Sequence, residues 1–372
     1  MIGLRMLRSL SKPSRHRALA ACLLALLLLP PAMAHAAAAS EAAPAGVHAS
    51  ASGASRAALL AGYAAEIRRA LAAGELPIID VEHHWGGKLS VSELTEKMDK
   101  NSVALTWLGQ NEKRGSAHAL VEAAKFPTRL VPTTIHGDGP RWHGRDMNLL
   151  DELASDAKSG RYFALGEFEA RHYVSSTNNR DVHLPVDSPS FEAVFTIAEQ
   201  TGLPMLLHHE AEDALLPELE RMLTAHPKAH VIWCHVGRNR NRSTWTRLPT
   251  PDGVREFLLK YPNLSFDLNQ AKPGSRHRGT NQVDAVLYDT DPSKGGDNQP
   301  DAKLNAKWQE LLEEFPERFV IGTDVNTGRF DNYTQVIQTF RRLVLARLSK
   351  ATAERIAYKN AWKLMSGAEW RD

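Results

Sequence analysis

From residue 76 onward the chain alternates short apolar, β-branched runs with longer segments whose apolar residues recur at helical spacing. The short runs predict strands over 76–82, 103–108, 129–135, 162–168, 203–208, 230–235, 263–268 and 318–324. The longer segments predict helices over 91–98, 116–125, 146–158, 190–201, 215–225, 253–260 and 302–315, with 331–348 and 353–365 after the last strand. Nearly continuous apolar strands separated by helices predict a parallel sheet covered on its faces. Eight such units in this length predict an α/β chain folded as a (β/α)8 TIM barrel. An open doubly wound sheet is the alternative, but no glycine-rich phosphate turn follows the first strand. Ahead of the barrel, 56–73 carries Leu59, Leu60, Tyr63, Ile67 and Leu71 at helical spacing and stops at Gly74, which predicts an extra N-terminal helix. The segment 353–365 predicts a C-terminal helix.

Two stretches break the rhythm. Both 172–189 and 270–300 are polar and too long for plain connections. Both leave the C-terminal ends of strands, where a barrel builds its active site, and are expected to be substrate loops.

The first residues have a different pattern. Arg5, Arg8, Lys12, Arg15 and Arg17 precede an apolar run over 18–29, and Ala32-Met33-Ala34 and Ala34-His35-Ala36 follow as small-residue cleavage patterns. This predicts a signal peptide over 1–36, hence an exported protein, periplasmic or secreted, with no stable membrane anchor after cleavage. Residues 37–75 are then a flexible leader and the N-terminal helix, and 76–366 the barrel. Cys22 falls in the signal peptide, so Cys234 is left alone and no disulfide forms within the mature chain. Its apolar setting predicts a buried, inert thiol. The formal net charge of +2 gives no case for nucleic acid as a partner and leaves a small-molecule substrate. The oligomeric state is not set by the sequence.

Chemistry concentrates where apolar strands end. The first ends Asp80-Val81-Glu82-His83-His84, and strand alternation puts Asp80, Glu82 and His84 on one face with His83 turned to the helices. Later strands end in Glu167, His208, His235 and Asp324. Imidazoles and carboxylates without thiolate suit a divalent metal ion, with Zn²⁺ first and Mn²⁺ or Fe²⁺ as alternatives.

With these tips in place, and with Asn360-Ala361 inside Ile356-Ala357-Tyr358-Lys359-Asn360-Ala361-Trp362-Lys363-Leu364, the chain resembles the amidohydrolase superfamily of metal-dependent hydrolases over about 76–365. The resemblance implies a barrel binding one or two divalent ions at its strand tips. His84, His208, His235 and Asp324 match the family's ligands, and Glu167 resembles the fourth-strand carboxylate that bridges two ions. Glu82 stands where the family has the first histidine of His-x-His, which favours harder ions or weakens one position. As in the superfamily, Asp324 would act as general base toward metal-activated water. Arg238 and Arg240 after the sixth strand, and Arg171 after the fourth, would recognise an anionic ester, lactone, amide or phosphoester. Two alternatives stay open: a metal-dependent decarboxylase on the same barrel, and a non-catalytic exported binding protein.

Overall fold

The computed structural model describes residues 55–86, 90–174, 179–210, 212–238, 240–241, 247–269, 272–276, 281, 285–291, 293–294 and 299–372. The expected signal peptide and the leader up to residue 54 lie outside them, as do much of the second long loop and Arg242.

Eight parallel strands form the centre: β1 Ile78–Trp85, β2 Val103–Asn111, β3 Leu130–His136, β4 Leu165–His172, β5 Met205–His209, β6 Val231–Trp233, β7 Leu264–Asp267 and β8 Phe319–Val320. Each pairs in parallel with the next from β1 to β3 and from β4 to β8. Backbone hydrogen bonds close the two remaining seams. Thr134 N donates to Ala164 O at 3.1 Å and Gly137 N to Glu167 O at 2.7 Å, joining β3 to β4. Val81 N donates to Ile321 O at 2.9 Å and His84 N to Val325 O at 3.0 Å, joining β1 to the chain that continues β8. The ring is therefore a closed (β/α)8 TIM barrel, and its strands are buried on both faces as a parallel barrel requires.

The connecting helices include α1 Arg56–Ala72, α2 Val91–Lys100, α3 Ser116–Ala123, α4 Met147–Lys158, α5 Pro189–Thr201, α6 Leu216–Ala225, α7 Pro251–Lys260 and α8 Ala306–Glu314. Local chemistry fixes several starts. Ser90 and Glu93 form a reciprocal capping box on α2, and Asp146, Thr250 and Asn305 accept first-turn N–H groups of α4, α7 and α8. Helix α1 covers the N-terminal end of the barrel. Tyr63 and Ile67 are fully buried there, Tyr63 donates its hydroxyl to Leu130 O at 3.1 Å, and Arg56 donates to Tyr162 O and Met365 O, each at 2.8 Å.

Several strands depart from their expected lengths: β1 and β2 run on to Trp85 and Asn111, β8 shortens to Phe319–Val320, and β4 and β6 change for reasons the structure shows. β4 runs past residue 168 to His172, because Val182–His183 pairs with it antiparallel and carries the ladder into the first long loop. β6 stops at Trp233, because Cys234–Gly237 turns aside with His235 and Val236 at φ +61° and +56°.

Candidate metal centre

The strand tips converge on a pocket of about 480 Å³ at the C-terminal end of the barrel. Glu167, on β4, stands at its centre. Its Oε2 lies 2.9 Å from His84 Nε2, and its Oε1 lies 2.8 Å from His208 Nδ1 and 3.5 Å from His235 Nε2. One carboxylate therefore faces two imidazole groups on opposite sides. Asp324 Oδ1 is 3.4 Å from His84 Nε2, and Glu82 Oε1 is 3.9 Å from the same atom and 3.8 Å from His235 Nε2. All six expected residues, Glu82, His84, Glu167, His208, His235 and Asp324, are thus brought together. Their ligand atoms form two groups, each within 4.8 Å: Glu82, His84 and Asp324 on one side, and Glu167, His208 and His235 on the other.

The residues fit a divalent ion on structural grounds. Both carboxylate oxygens of Glu82 are buried without a hydrogen-bond donor, a costly state unless a cation or proton meets them. Burial, then Asp267 and Glu167, push the Glu82 carboxyl well above its ordinary range. Burial would also raise Glu167, but His208 first, with His235 and His84, outweighs it and holds that carboxylate well below its ordinary range. Burial would lower the His84 imidazole, but Asp324, Glu167 and Glu82 outweigh it and raise it well above its ordinary range.

Strand parity places the rest. His83 faces the helix layer, stacked near Trp85 and edge-on to Tyr333, and burial drives its imidazole down to about 3. Asp80 accepts from the backbone N–H of Thr323 at 2.9 Å and its hydroxyl at 2.8 Å, tying the first strand to the last. Trp85 both borders the pocket and is buried.

Asp324 meets Arg329 in a bidentate pair, with Nη2 to Oδ1 at 2.7 Å and Nη1 to Oδ2 at 2.9 Å. Burial works against its charge, but Arg329 and then His84 hold the carboxyl well below its usual range. Sequence reasoning missed Arg329, which lines the pocket. It also missed His136 at the tip of β3, although Val131-Pro132-Thr133-Thr134-Ile135-His136 repeats the strand-then-histidine signal. His136 Nδ1 accepts the Glu167 N–H at 2.9 Å, so its neutral ring carries its proton on Nε2 as a donor. That atom has no partner, and the ring stacks on His84 at 4.2 Å. Gly109 makes this possible, since a Cβ there would lie 1.8 Å from His136 Nε2. Glu210 was missed too; its Oε1 is 3.4 Å from His208 Nε2, the outward support that a histidine facing a metal through Nδ1 needs.

The expected arginines separate. Arg240 lines the pocket and pairs with Glu210. Arg171 and Arg238 do not line it. Arg171 is spent on its own loop, bonding Asp181, Glu212 and Val182 O and stacking over Tyr173. Arg238 is buried just beyond the left-handed turn at His235–Gly237. Arg180, from the first long loop, does reach the pocket, where it pairs with Glu169 and donates to Asp138 O at 2.7 Å.

Comparison with solved structures finds an amidohydrolase of Burkholderia multivorans with bound HEPES, 13% identical, covering 78% of this chain and 99% of its own, at a TM-score of 0.49. A dihydroorotase of Campylobacter jejuni is 11% identical over 80% of this chain and 85% of its own, at 0.46. An organophosphorus hydrolase mutant of Deinococcus radiodurans is 12% identical over 78% and 93%, at 0.47. No curated protein matches the chain. The family model described as amidohydrolase matches residues 163–365, more than half of the length and four of the strand tips above. The chain belongs to the amidohydrolase family and is a metal-dependent hydrolase of that superfamily.

Proposed function

We propose that this chain is an exported hydrolase acting on a small anionic ester, lactone, amide or phosphoester at one or two divalent ions, zinc first and manganese or iron otherwise. The observation that carries the reading is Glu167 standing between His84 and the His208–His235 pair, with Asp324 held ionised beside it. Glu82, His84 and Asp324 would hold an ion on one side of Glu167, and His208 and His235 on the other. An ion held there would supply Lewis acidity for hydrolysis. Asp324 would accept a proton from the attacking water and return it to the leaving group. The His136 Nε2–H donates into the pocket and orients what enters. Three guanidiniums, Arg180, Arg240 and Arg329, border the pocket, each beside a carboxylate (Glu169, Glu210 and Asp324) that an anionic substrate would displace or share. Export is supported by the basic and apolar pattern of residues 1–36.

The test is elemental analysis of the mature protein, then an ester, lactone, amide and phosphoester panel with added Zn²⁺ or Mn²⁺. Hydrolysis that chelator abolishes and the ion restores is the expected result. Release of carbon dioxide from an aromatic acid, with no hydrolysis of any panel member, would make the chain a lyase instead.

A further inference from the structure

Below the pocket, the tip of β7 holds a carboxylate for which the scheme above has no use. Asp267 is fully buried, its Oδ1 accepts the Asn269 N–H at 2.7 Å, and its Oδ2 has no donor in hydrogen-bond geometry, although the His235 N–H and the Cys234 thiol lie beside the carboxylate. Glu82 shares this cranny. A Cβ built on Gly322 would lie 3.0 Å from Glu82 Oε2 and 3.2 Å from Asp267 Cγ, so both acids converge on the space left by the missing side chain. Cys234 adjoins them, with its sulfur within 4.8 Å of carboxylate oxygens of Glu82 and Glu167. The side chain of Asn269 meanwhile lies 3.1 Å from His235 Nδ1, which leaves His235 Nε2 facing Glu82.

Three oxygens, two on Glu82 and one on Asp267, are therefore buried together without a donor in hydrogen-bond geometry. Unpaired buried carboxylates are not tolerated without compensation. One proton shared between the acids pairs two of these oxygens at most. A cation can meet all three.

We propose that Asp267 is a ligand of the ion held at Glu82, so that the site is completed from the seventh strand. The ion then sits among several carboxylates and few imidazoles, a setting that suits a hard ion such as Mn²⁺. The inference rests on Glu82 belonging to the metal centre, as proposed above.

The experiment is calorimetric titration of the metal-free full-length mature protein with Mn²⁺ and with Zn²⁺, for the wild type, Asp267→Asn and Asp267→Glu, with melting recorded with and without each ion. Asp267→Asn is expected to weaken Mn²⁺ binding by about 10–100-fold and to shrink the melting gain, while Asp267→Glu keeps part of both. Equal affinity and equal melting gain in wild type and Asp267→Asn would overturn this inference alone. A wild type that binds neither ion would overturn it together with the metal-centre reading. Crystals of wild type soaked in Mn²⁺ decide the matter without a variant. Asp267 in coordination range of the ion supports the proposal, and Asp267 bonded to Glu82 with the ion elsewhere overturns it.

Discussion

Asp324 sits at φ +47°, a backbone region that side chains other than glycine seldom occupy. His235 and Val236 do the same on the opposite rim. Such conformations cost on the order of 1 kcal/mol or more each and persist where the surroundings over-determine them. Here the bidentate pair with Arg329 and the bond from Asp324 N to Glu82 O at 2.9 Å hold the carboxylate over the pocket. Replacing Asp324 with Asn is expected to lower turnover by roughly 10²–10⁴-fold while circular dichroism stays unchanged. Wild-type turnover in that variant would remove Asp324 from the chemistry. Gly322→Ala tests the cranny behind it. The added methyl meets Glu82 Cβ at 3.0 Å as well as the two carboxylates, so a loss of about 1–3 kcal/mol in urea unfolding of the metal-free protein is expected. Residues of this kind were legible only in part. Glu82, His84, Glu167, His208, His235 and Asp324 announce themselves because each ends an apolar run. Arg329 follows a loop, and Leu268 carries the apolar run on past Asp267, so only the folded backbone places them.

Elements were more legible than residues. A parallel barrel strand must be apolar on both faces, and its helix must show a 3.6-residue period, so each βα unit signals itself twice. Boundaries moved where partners outside the unit decide them, as at the end of β4, held by Val182–His183, and at β6, cut short by the turn at His235. The last helical segment shows what a motif can mean physically. Lys350–Glu354 passes through a wide turn over Arg355–Lys359 before Asn360–Ser366. That turn delivers Asn360 to the base of β8, where its amide donates to Pro316 O at 2.7 Å and Phe319 O at 2.8 Å. The Asn360-Ala361 pair that the sequence resemblance singled out is thus a clasp between the closing helix and the last strand. Asn360→Ala leaves two carbonyls unmet and is expected to cost about 1–3 kcal/mol in urea unfolding, with activity per folded molecule unchanged. An unchanged unfolding midpoint would show that the clasp is dispensable.

For the molecule as a whole, acid should be a greater threat than base. His83 and His209 both lie buried against the helix layer, and burial first, then a neighbouring histidine at the site, lowers each from 6.5 to about 3. A folded-state value below the free one means that their contribution is complete above pH 6.5 and is lost as the pH falls toward 3. The loss is about 1.4 kcal/mol per pH unit for each ring. Melting temperature measured across pH 7.5 to 4 should therefore fall steadily below pH 6.5, and a flat profile there would refute the assignment of these rings as buried and neutral. Glu82, raised by burial, works in the opposite sense in metal-free protein: its stabilising protonated form is lost as the pH climbs through its elevated value.

Helix α1 gives the barrel a closed floor, with Arg56 and Tyr63 anchored to the starts of β3 and β4, at the end opposite the strand tips. Ser55 consequently departs from the underside of the molecule. A resin, a carrier protein or a surface tether joined ahead of that residue would leave the mouth pointing outward, so immobilised enzyme should keep the Michaelis constant of free enzyme, whereas attachment through the loops above β4 or β7 should not.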